Sequence, residues 1–88
     1  MPAVITRFLA TDQNRWKRMF DTKTRERAAV GINGALVFAD ADTPEYIIVI
    51  YQVDDVRRAK AYLTLDRQKK REFELGVSEM EIWVGVER

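Results

Sequence analysis

The chain has 88 residues, of which 47% are hydrophobic and 33% charged, and its formal net charge is +1; this composition indicates one ordinary globular domain over residues 1–88. It contains no cysteine and no histidine, which excludes disulfides and thiolate nucleophiles and removes the commonest metal ligand and general base. No apolar run approaches the roughly 18–20 residues that span a bilayer, and the N-terminus has no signal-peptide pattern, so we expect a cytoplasmic protein without a metal site.

The first two predicted elements are a strand and a long helix. A strand-like run, Ala3–Thr11, carries large apolar groups on both of its faces, as a central strand buried on both sides does. Its alternation places Val4, Thr6 and Phe8 on one face and Ile5, Arg7 and Leu9 on the other. The amphipathic stretch Asn14–Val30 predicts the first helix, which Thr11 or Asp12 caps and Gly31 ends in a left-handed conformation. One face of this helix carries Trp16, Met19, Phe20, Lys23, Arg27 and Ala28.

Two further strand-like runs follow, Gly34–Ala39 and Tyr46–Val53, joined by a turn rich in acidic residues around Pro44. The second of these runs is the most hydrophobic in the chain, and neither of its faces is suited to water. One face carries Tyr46, Ile48, Ile50 and Gln52, and the other carries Ile47, Val49, Tyr51 and Val53.

The C-terminal third predicts a second helical segment and a last strand. The segment Asp55–Leu75 begins at a capping aspartate, Asp54 or Asp55, and its apolar pattern breaks at residues 64–66, so we expect it to be kinked or broken. Phe73 and Leu75 are its expected inward residues. The run Glu79–Glu87 alternates between an apolar and a polar face, which is typical of an edge strand.

This β-α-β-β-α-β order predicts a ferredoxin-like α+β fold, with a four-stranded antiparallel sheet in the order 4-1-3-2 and helices on one face. Because the central strands are apolar on both faces, the face without helices needs a cover. A second copy of the chain offers the same apolar patch, so we expect a homodimer that packs through this sheet face.

The basic residues are distributed unevenly. All fifteen except Arg7 and Arg88 lie in the two helical stretches. Such a layer either attracts a nucleic acid or another anionic surface, or forms a solvated outer face. The solvated face is the favoured interpretation, since the strand Tyr46–Val53 is aliphatic where an RNA-binding sheet has exposed aromatic residues. We therefore expect neither a nucleic acid nor a membrane as partner.

The chain resembles the small dimeric α/β-barrel proteins, which include antibiotic-biosynthesis-monooxygenase-like proteins and short cyclase-like proteins. The resemblance lies in the strand Val4-Ile5-Thr6-Arg7-Phe8-Leu9 and in Asp12-x-x-Arg15-Trp16-Lys17-x-x-Phe20-Asp21, Asp40-Ala41-Asp42-x-Pro44, Lys60-Ala61-Tyr62-x-x-x-Asp66 and Gly76-Val77. It implies a dimer with face-to-face sheets and a cleft between sheet and helices for a small, often aromatic, ligand. Active members carry out cofactor-free oxygenation, ring closure or haem breakdown. Relatives often have a histidine where this chain has Phe8, so that acid–base residue does not carry over.

Three residues are candidates for catalysis, and each also has a structural interpretation. Arg7 would stabilise an enolate-like anion, or else form an internal ion pair with Glu81 on the neighbouring strand. Tyr51 or Tyr62 would handle the proton, or else belong to the core. The candidate ligand-binding residues, which are otherwise plain core, are Thr6, Phe8, Trp16, Phe20, Phe73 and Trp83.

The sequence therefore favours a homodimeric monooxygenase- or cyclase-like protein that binds a small hydrophobic or aromatic molecule between sheet and helices, with cofactor-free oxygenation or cyclisation as its chemistry. The alternative is a non-catalytic dimer of the same fold that binds a ligand or another protein. An amino-acid-sensing ACT-like domain shares the topology but usually comes fused to an enzyme. Fold alone does not decide between these functions.

Overall fold

The computed structural model describes residues 2–88, without the side chains of residues 66 and 67. Strands and helices follow one another in the predicted order, except that each helical segment is divided in two. The elements are β1 (Pro2–Ala10), α1 (Gln13–Asp21), α2 (Thr24–Ala29), β2 (Ile32–Ala39), β3 (Tyr46–Val53), α3 (Val56–Leu63), α4 (Asp66–Glu74) and β4 (Val77–Val86).

The four strands form one sheet in the order β2-β3-β1-β4, and all three pairings are antiparallel. This is the predicted 4-1-3-2 order, and it confirms the ferredoxin-like α+β fold. The two most apolar strands, β1 and β3, are central. A central strand has a neighbouring strand on each side, so its apolar side chains are shielded from water better than those of an edge strand. The strand β4 lies at an edge, as predicted.

The first helical segment differs from the prediction, since the stretch Asn14–Val30 is two helices rather than one. The backbone N–H groups of Thr22 and Lys23 bond to the carbonyl oxygens of Met19 and Phe20, three residues earlier in each case. The Thr22 hydroxyl also donates to the Met19 carbonyl, at 2.7 Å. Bonds of this kind tighten and close the last turn of a helix, so α1 ends at Asp21.

The caps of the helical segments agree with the sequence. Asp12 accepts a hydrogen bond from the backbone N–H of Arg15 at 3.0 Å, and Asp55 accepts from the N–H groups of Arg57 and Arg58. Gly31 has a φ of 80°, the left-handed conformation predicted for the end of the first segment.

The second segment is broken between α3 and α4, as predicted. The prediction that both Phe73 and Leu75 point inward is wrong for one of them. Leu75 is buried, whereas Phe73 is 81% exposed. The inner face of α4 is formed by Gln68, Glu72 and Leu75, at helical spacings of four and three residues. Phe73 follows Glu72 directly and therefore lies on the outer side of the helix.

The hydrophobic core lies between the helices and one face of the sheet. Helix α3 packs against β1, α4 against β4 and α2 against β2. The sheet side of the core is formed by Val4, Thr6, Phe8, Val49 and Val53, which are all almost completely buried.

The other face of the sheet, which we call the open face, is not covered by any described helix. It carries Ala3, Ile5, Arg7, Leu9, Leu36, Phe38, Tyr46, Ile48, Ile50, Glu81 and Trp83. Leu36, Phe38 and Trp83 are each about half exposed, at 54%, 49% and 47%. Among the described residues, no helix has the length and apolar character that a membrane span requires.

Candidate functional site

A small cavity lies in the core between the sheet and the helices, and it has a volume of about 60 Å³. The sheet contributes its floor and all four helices contribute to its walls. It is lined by Thr6, Phe8, Trp16, Met19, Phe20, Lys23, Arg27, Tyr51, Tyr62, Leu63, Gln68, Arg71, Glu72, Leu75 and Met80.

An unbroken row of aromatic rings forms one wall of the cavity. The ring centroids of Phe8 and Trp16 are 5.2 Å apart, those of Trp16 and Phe20 4.9 Å, and those of Phe20 and Tyr51 6.3 Å. These separations are those of favourable tilted aromatic pairs. The row joins β1, α1 and β3, so the wall is fixed by three elements at once.

The Thr6 hydroxyl is the unusual polar group of the floor. The residue is 1% exposed, and Oγ1 makes no hydrogen bond of normal geometry to a described atom, although it lies close enough to the Tyr51 hydroxyl to oppose the rise of the pKa of that tyrosine. A buried hydroxyl without a partner costs about 1–3 kcal/mol, and most such groups in proteins are paired. The hydroxyls of Thr6 and Tyr51 therefore form a polar spot in the otherwise apolar floor of the cavity.

The two tyrosines of the cavity keep their protons near neutral pH. Burial raises the pKa of Tyr51 far above its ordinary value, although the nearby charge of Arg27 opposes this shift. Burial and then the Glu26 carboxylate raise the pKa of Tyr62. Neither side chain therefore serves as a base; both remain hydrogen-bonding hydroxyls, with Glu26 and Gln68 beside Tyr62 and Thr6 beside Tyr51.

Among the residues whose side chains are described, three basic ones also line the cavity. Arg27 is 8% exposed, and its guanidinium lies 3.8 Å from the centre of the Phe20 ring and donates to the Phe20 carbonyl oxygen at 2.8 Å. Lys23 lies one turn before it and is half-buried. Arg71 forms an ion pair with Glu26 at 3.5 Å.

Glu72 is a titratable residue of the cavity that is not among the residues predicted from the sequence. Burial raises its pKa to about 7, against the opposing charges of Lys69 and Arg71. A carboxyl group with such a pKa exchanges protons near neutral pH, as general bases do. In the sequence Glu72 is one of many charges in a basic helix, and the only signal is its spacing from Gln68 and Leu75.

A larger groove of about 480 Å³ adjoins the cavity between α3, α4 and β4. Leu63, Glu72 and Met80 line both spaces, so Glu72 lies where they meet. Phe73 lines the groove but not the cavity. The β-bulge in β4, where Glu79 has a φ of 54°, interrupts the pairing with β1 beside this groove.

The predicted site residues divide between the two faces of the sheet. Tyr51, Tyr62, Thr6, Phe8, Trp16 and Phe20 all line the cavity. Trp83 pairs with Ile5 on the open face, and Arg7 lies on the same face. The structure therefore does not bring Arg7 or Trp83 together with the two tyrosines.

Arg7 belongs to a polar cluster of the open face. Its Nε donates to Oδ2 of Asp40 at 3.0 Å, its Nη2 donates to the Thr43 hydroxyl at 3.1 Å, and its guanidinium lies 4.0 Å from the centre of the Tyr46 ring. Glu81 lies opposite Arg7 in the sheet, yet the ion-pair partner is Asp40. The backbone N–H of Asp42 and the Arg7 guanidinium hold the pKa of Asp40 below its usual range.

The fold is that of antibiotic-biosynthesis-monooxygenase-like proteins, which confirms the resemblance in the sequence at the level of structure. No protein-family model matches the chain, and no curated protein matches its sequence. Solved structures match over nearly the whole chain. SnoaB, a cofactor-independent oxygenase from Streptomyces nogalater, has a TM-score of 0.72 and 14% identity, with 99% of this chain and 92% of SnoaB covered.

Two further solved structures have the same fold. A proposed antibiotic biosynthesis monooxygenase from Deinococcus radiodurans has a TM-score of 0.69 and 14% identity, with 100% of this chain and 93% of that chain covered. A dimeric ferredoxin-like protein from an uncultured marine organism has a TM-score of 0.63 and 9% identity, with 98% and 93% covered. At these identities the similarity establishes the fold alone, and any activity has to be inferred from the residues of the site.

Proposed function

We propose that the protein is a homodimeric monooxygenase- or cyclase-like protein that binds a small hydrophobic or aromatic molecule between its sheet and its helices. The observation that carries the proposal is the aromatic-walled cavity with an unpaired Thr6 hydroxyl in its floor. A benzene molecule needs a cavity of about 150 Å³, so the ligand would occupy the adjoining groove as well. The cofactor-independent activity named for SnoaB supports the same chemistry on this fold.

The chemistry that the site favours begins with the removal of a proton from an acidic carbon or hydroxyl of the ligand. Glu72, with a pKa of about 7, would accept this proton. Tyr51 and Tyr62 would donate hydrogen bonds to the oxygen on which negative charge develops. Arg7 takes no part in this scheme, because it lies on the open face. The enolate-like anion formed in this way would be oxidised by dioxygen to a hydroperoxide, or would add to a carbonyl carbon of the same ligand to close a ring; in each case the proton held by Glu72 would return to the new oxyanion.

The open face supports the homodimer. It is apolar over β1, β2 and β3, and large side chains such as Leu36 and Phe38 are half exposed there. Monomeric proteins rarely leave such a patch in water. A second copy would place the same patch against it in a symmetric pair, and one protein of this fold is described as dimeric.

The two tryptophans of the chain allow a direct test of ligand binding, since Trp16 lies in the cavity and Trp83 on the open face. With Trp83→Phe, the remaining tryptophan reports on the cavity. We expect neutral 2-naphthamide to shift the emission wavelength of Trp16 in a saturable way, because a ligand in contact with the indole ring changes its surroundings. With Trp16→Phe, the matched control, the emission of Trp83 should shift much less. Equal shifts in both variants would contradict the proposed ligand site.

A non-catalytic dimer is the second candidate, and the small size of the cavity favours it. The rings of Phe8, Trp16 and Phe20 already pack against one another, and about 60 Å³ remains. If Trp16 does not respond to 2-naphthamide while the protein is a dimer, the fold would serve in protein interaction rather than in ligand binding.

A further inference from the structure

The basic residues of the cavity indicate the chemical class of the ligand. This inference rests on the proposed ligand site. We propose that the cavity binds the carboxylate of an aromatic acid, with Arg27 as its ion-pair partner and the Thr6 hydroxyl as a second donor. The ring of the ligand would lie towards the groove beside Glu72 and Met80.

The first observation is that Arg27 is a buried cation without a carboxylate partner. Among the residues that the structure describes, neither Arg27 nor Lys23 forms an ion pair. The guanidinium donates to the Phe20 carbonyl oxygen and to the Thr24 hydroxyl. An arginine has five N–H donors, so donors remain for a ligand. Buried charges in proteins are normally paired, and the cavity is where an absent anion would fit.

The second observation is the Thr6 hydroxyl, which is independent of Arg27 because it belongs to the sheet rather than to a helix. It is buried, makes no hydrogen bond of normal geometry and belongs to a residue that lines the same cavity. The charge of Arg27 is close enough to act on the Tyr51 hydroxyl, which lies on the strand next to Thr6. The Arg27 guanidinium and the hydroxyls of Thr6 and Tyr51 thus belong to residues that line one cavity, and a charged fork with neighbouring hydroxyls is a donor set that suits a carboxylate.

Charge and volume agree with this assignment. Among the described residues that line the cavity, the basic ones are Lys23, Arg27 and Arg71, of which Arg71 is paired with Glu26, and the acidic one is Glu72, which is only partly charged near neutral pH because burial raises its pKa to about 7. The volume of about 60 Å³ admits a carboxylate but no aromatic ring, since benzene needs about 150 Å³. The groove of about 480 Å³ is large enough for the ring.

The test compares the affinities of 2-naphthoate and 2-naphthamide, which have the same shape and differ in charge, by isothermal titration calorimetry. We expect the wild-type protein to bind the carboxylate about ten- to a hundredfold more tightly, as a charge-assisted hydrogen bond predicts. Arg27→Gln should remove this preference and leave the affinity for the amide. Arg25→Gln, the matched control, removes an exposed charge of the same helix and should leave the preference intact.

Since Arg27 also bonds to the backbone at the end of α1, its variant is first compared with the wild type by thermal unfolding. Lys23→Gln, at a half-buried position, provides a second variant and should reduce the preference severalfold. Equal affinities of the wild type for the two probes would overturn the inference and leave the aromatic site standing. A preference that Arg25→Gln removes as effectively as Arg27→Gln would also overturn it. Failure of both probes to bind would contradict the proposed ligand site as well.

Discussion

Two side chains of the cavity, Thr6 and Glu72, carry polar groups that lower the stability of the fold. The Thr6 hydroxyl is buried without a partner, and the Glu72 carboxyl group lies where burial disfavours its charge. Polar groups with such costs are concentrated at functional sites, where a ligand or a proton transfer makes use of them. Each predicts a variant that is more stable than the wild type.

For Thr6, the informative substitution is Thr6→Val, which keeps the shape of the side chain and removes the hydroxyl. We expect the free energy of unfolding to rise by about 1–2 kcal/mol, because a buried donor no longer lacks a partner. Its melting temperature, measured at fixed protein concentration, should rise by about 4–8 °C for each kcal/mol. Thr6→Ser, which keeps the hydroxyl, should not be stabilised. A Thr6→Val protein less stable than wild type would mean that the hydroxyl is satisfied.

For Glu72, the prediction concerns pH. Its folded pKa of about 7 lies above the ordinary value of 4.5, so the folded state holds the proton more tightly than the unfolded state does. Stability therefore falls as the pH rises from about 4.5 through about 7. Glu72→Gln should remove this fall, which amounts to about 1–2 kcal/mol once the partial exposure of the side chain is allowed for.

Urea unfolding at about pH 5 and about pH 8 measures this effect. The Glu72→Gln variant should exceed the wild type in stability at the higher pH and match it at the lower one. Glu74→Gln, an exposed position on the same helix, is the control and should follow the wild type at both. A stability of Glu72→Gln that falls with pH as steeply as that of the wild type would contradict the raised pKa.

At the scale of the elements, the sequence predicts the four strands and the broken second segment because alternation and capping are local signals. It does not predict the division of the first segment, which depends on how the Thr22 hydroxyl and the Arg27 guanidinium reach backbone carbonyls. The error at Phe73 has a related cause. An isolated aromatic residue in a basic helix is expected to be buried, whereas the rotation of α4 about its axis is set by packing against β4.

The candidate site was predictable in part for the same reason. The alternation of β1 assigns Thr6 and Phe8 to one face and Arg7 to the other, yet only the helices decide which face becomes the core. Arg7 and Tyr51 therefore could not be assigned to opposite sides from the sequence. Glu72 could not be found at all, because its raised pKa comes from burial that no local pattern indicates.

The turn between α4 and β4 provides a prediction at this scale. Gly76 has a φ of 76°, and a Cβ added there would collide with the Thr11 hydroxyl, which donates to the Gly76 carbonyl oxygen. Gly76→Ala should lower the free energy of unfolding by about 1–3 kcal/mol, through the strained backbone and the loss of this bond. Gly85→Ala is the matched control, since nothing lies within 4 Å of its Cβ position. Equal stabilities of the two variants in urea would contradict the assigned backbone conformation.

In the whole molecule, the sheet separates two surfaces for which we propose different roles. The helix-covered side holds the cavity and groove, and the open face is the surface proposed for the second copy. The polar cluster of Arg7, Asp40 and Tyr46 lies at one end of that face, so a partner copy would pack on the apolar region beside it.

The homodimer predicts a difference between two exposed phenylalanines. Phe38 lies on the open face and is 49% exposed, whereas Phe73 lies on the outer side of α4 and is 81% exposed. Phe38→Glu places a charge in the proposed interface, which weakens association because a buried unpaired charge is costly. Sedimentation velocity should therefore find Phe38→Glu largely monomeric and Phe73→Glu dimeric like the wild type. A dimeric Phe38→Glu protein would place the interface elsewhere.

In the proposed function, each subunit of a homodimer holds a small aromatic molecule between its sheet and its helices. Native mass spectrometry of the purified protein with 2-naphthamide tests the dimer and the ligand in one measurement. We expect a dimer that binds up to two ligands and releases them when the collision energy is raised. A monomer would contradict the role of the open face, and a dimer that never carries a ligand would contradict the role of the cavity and groove.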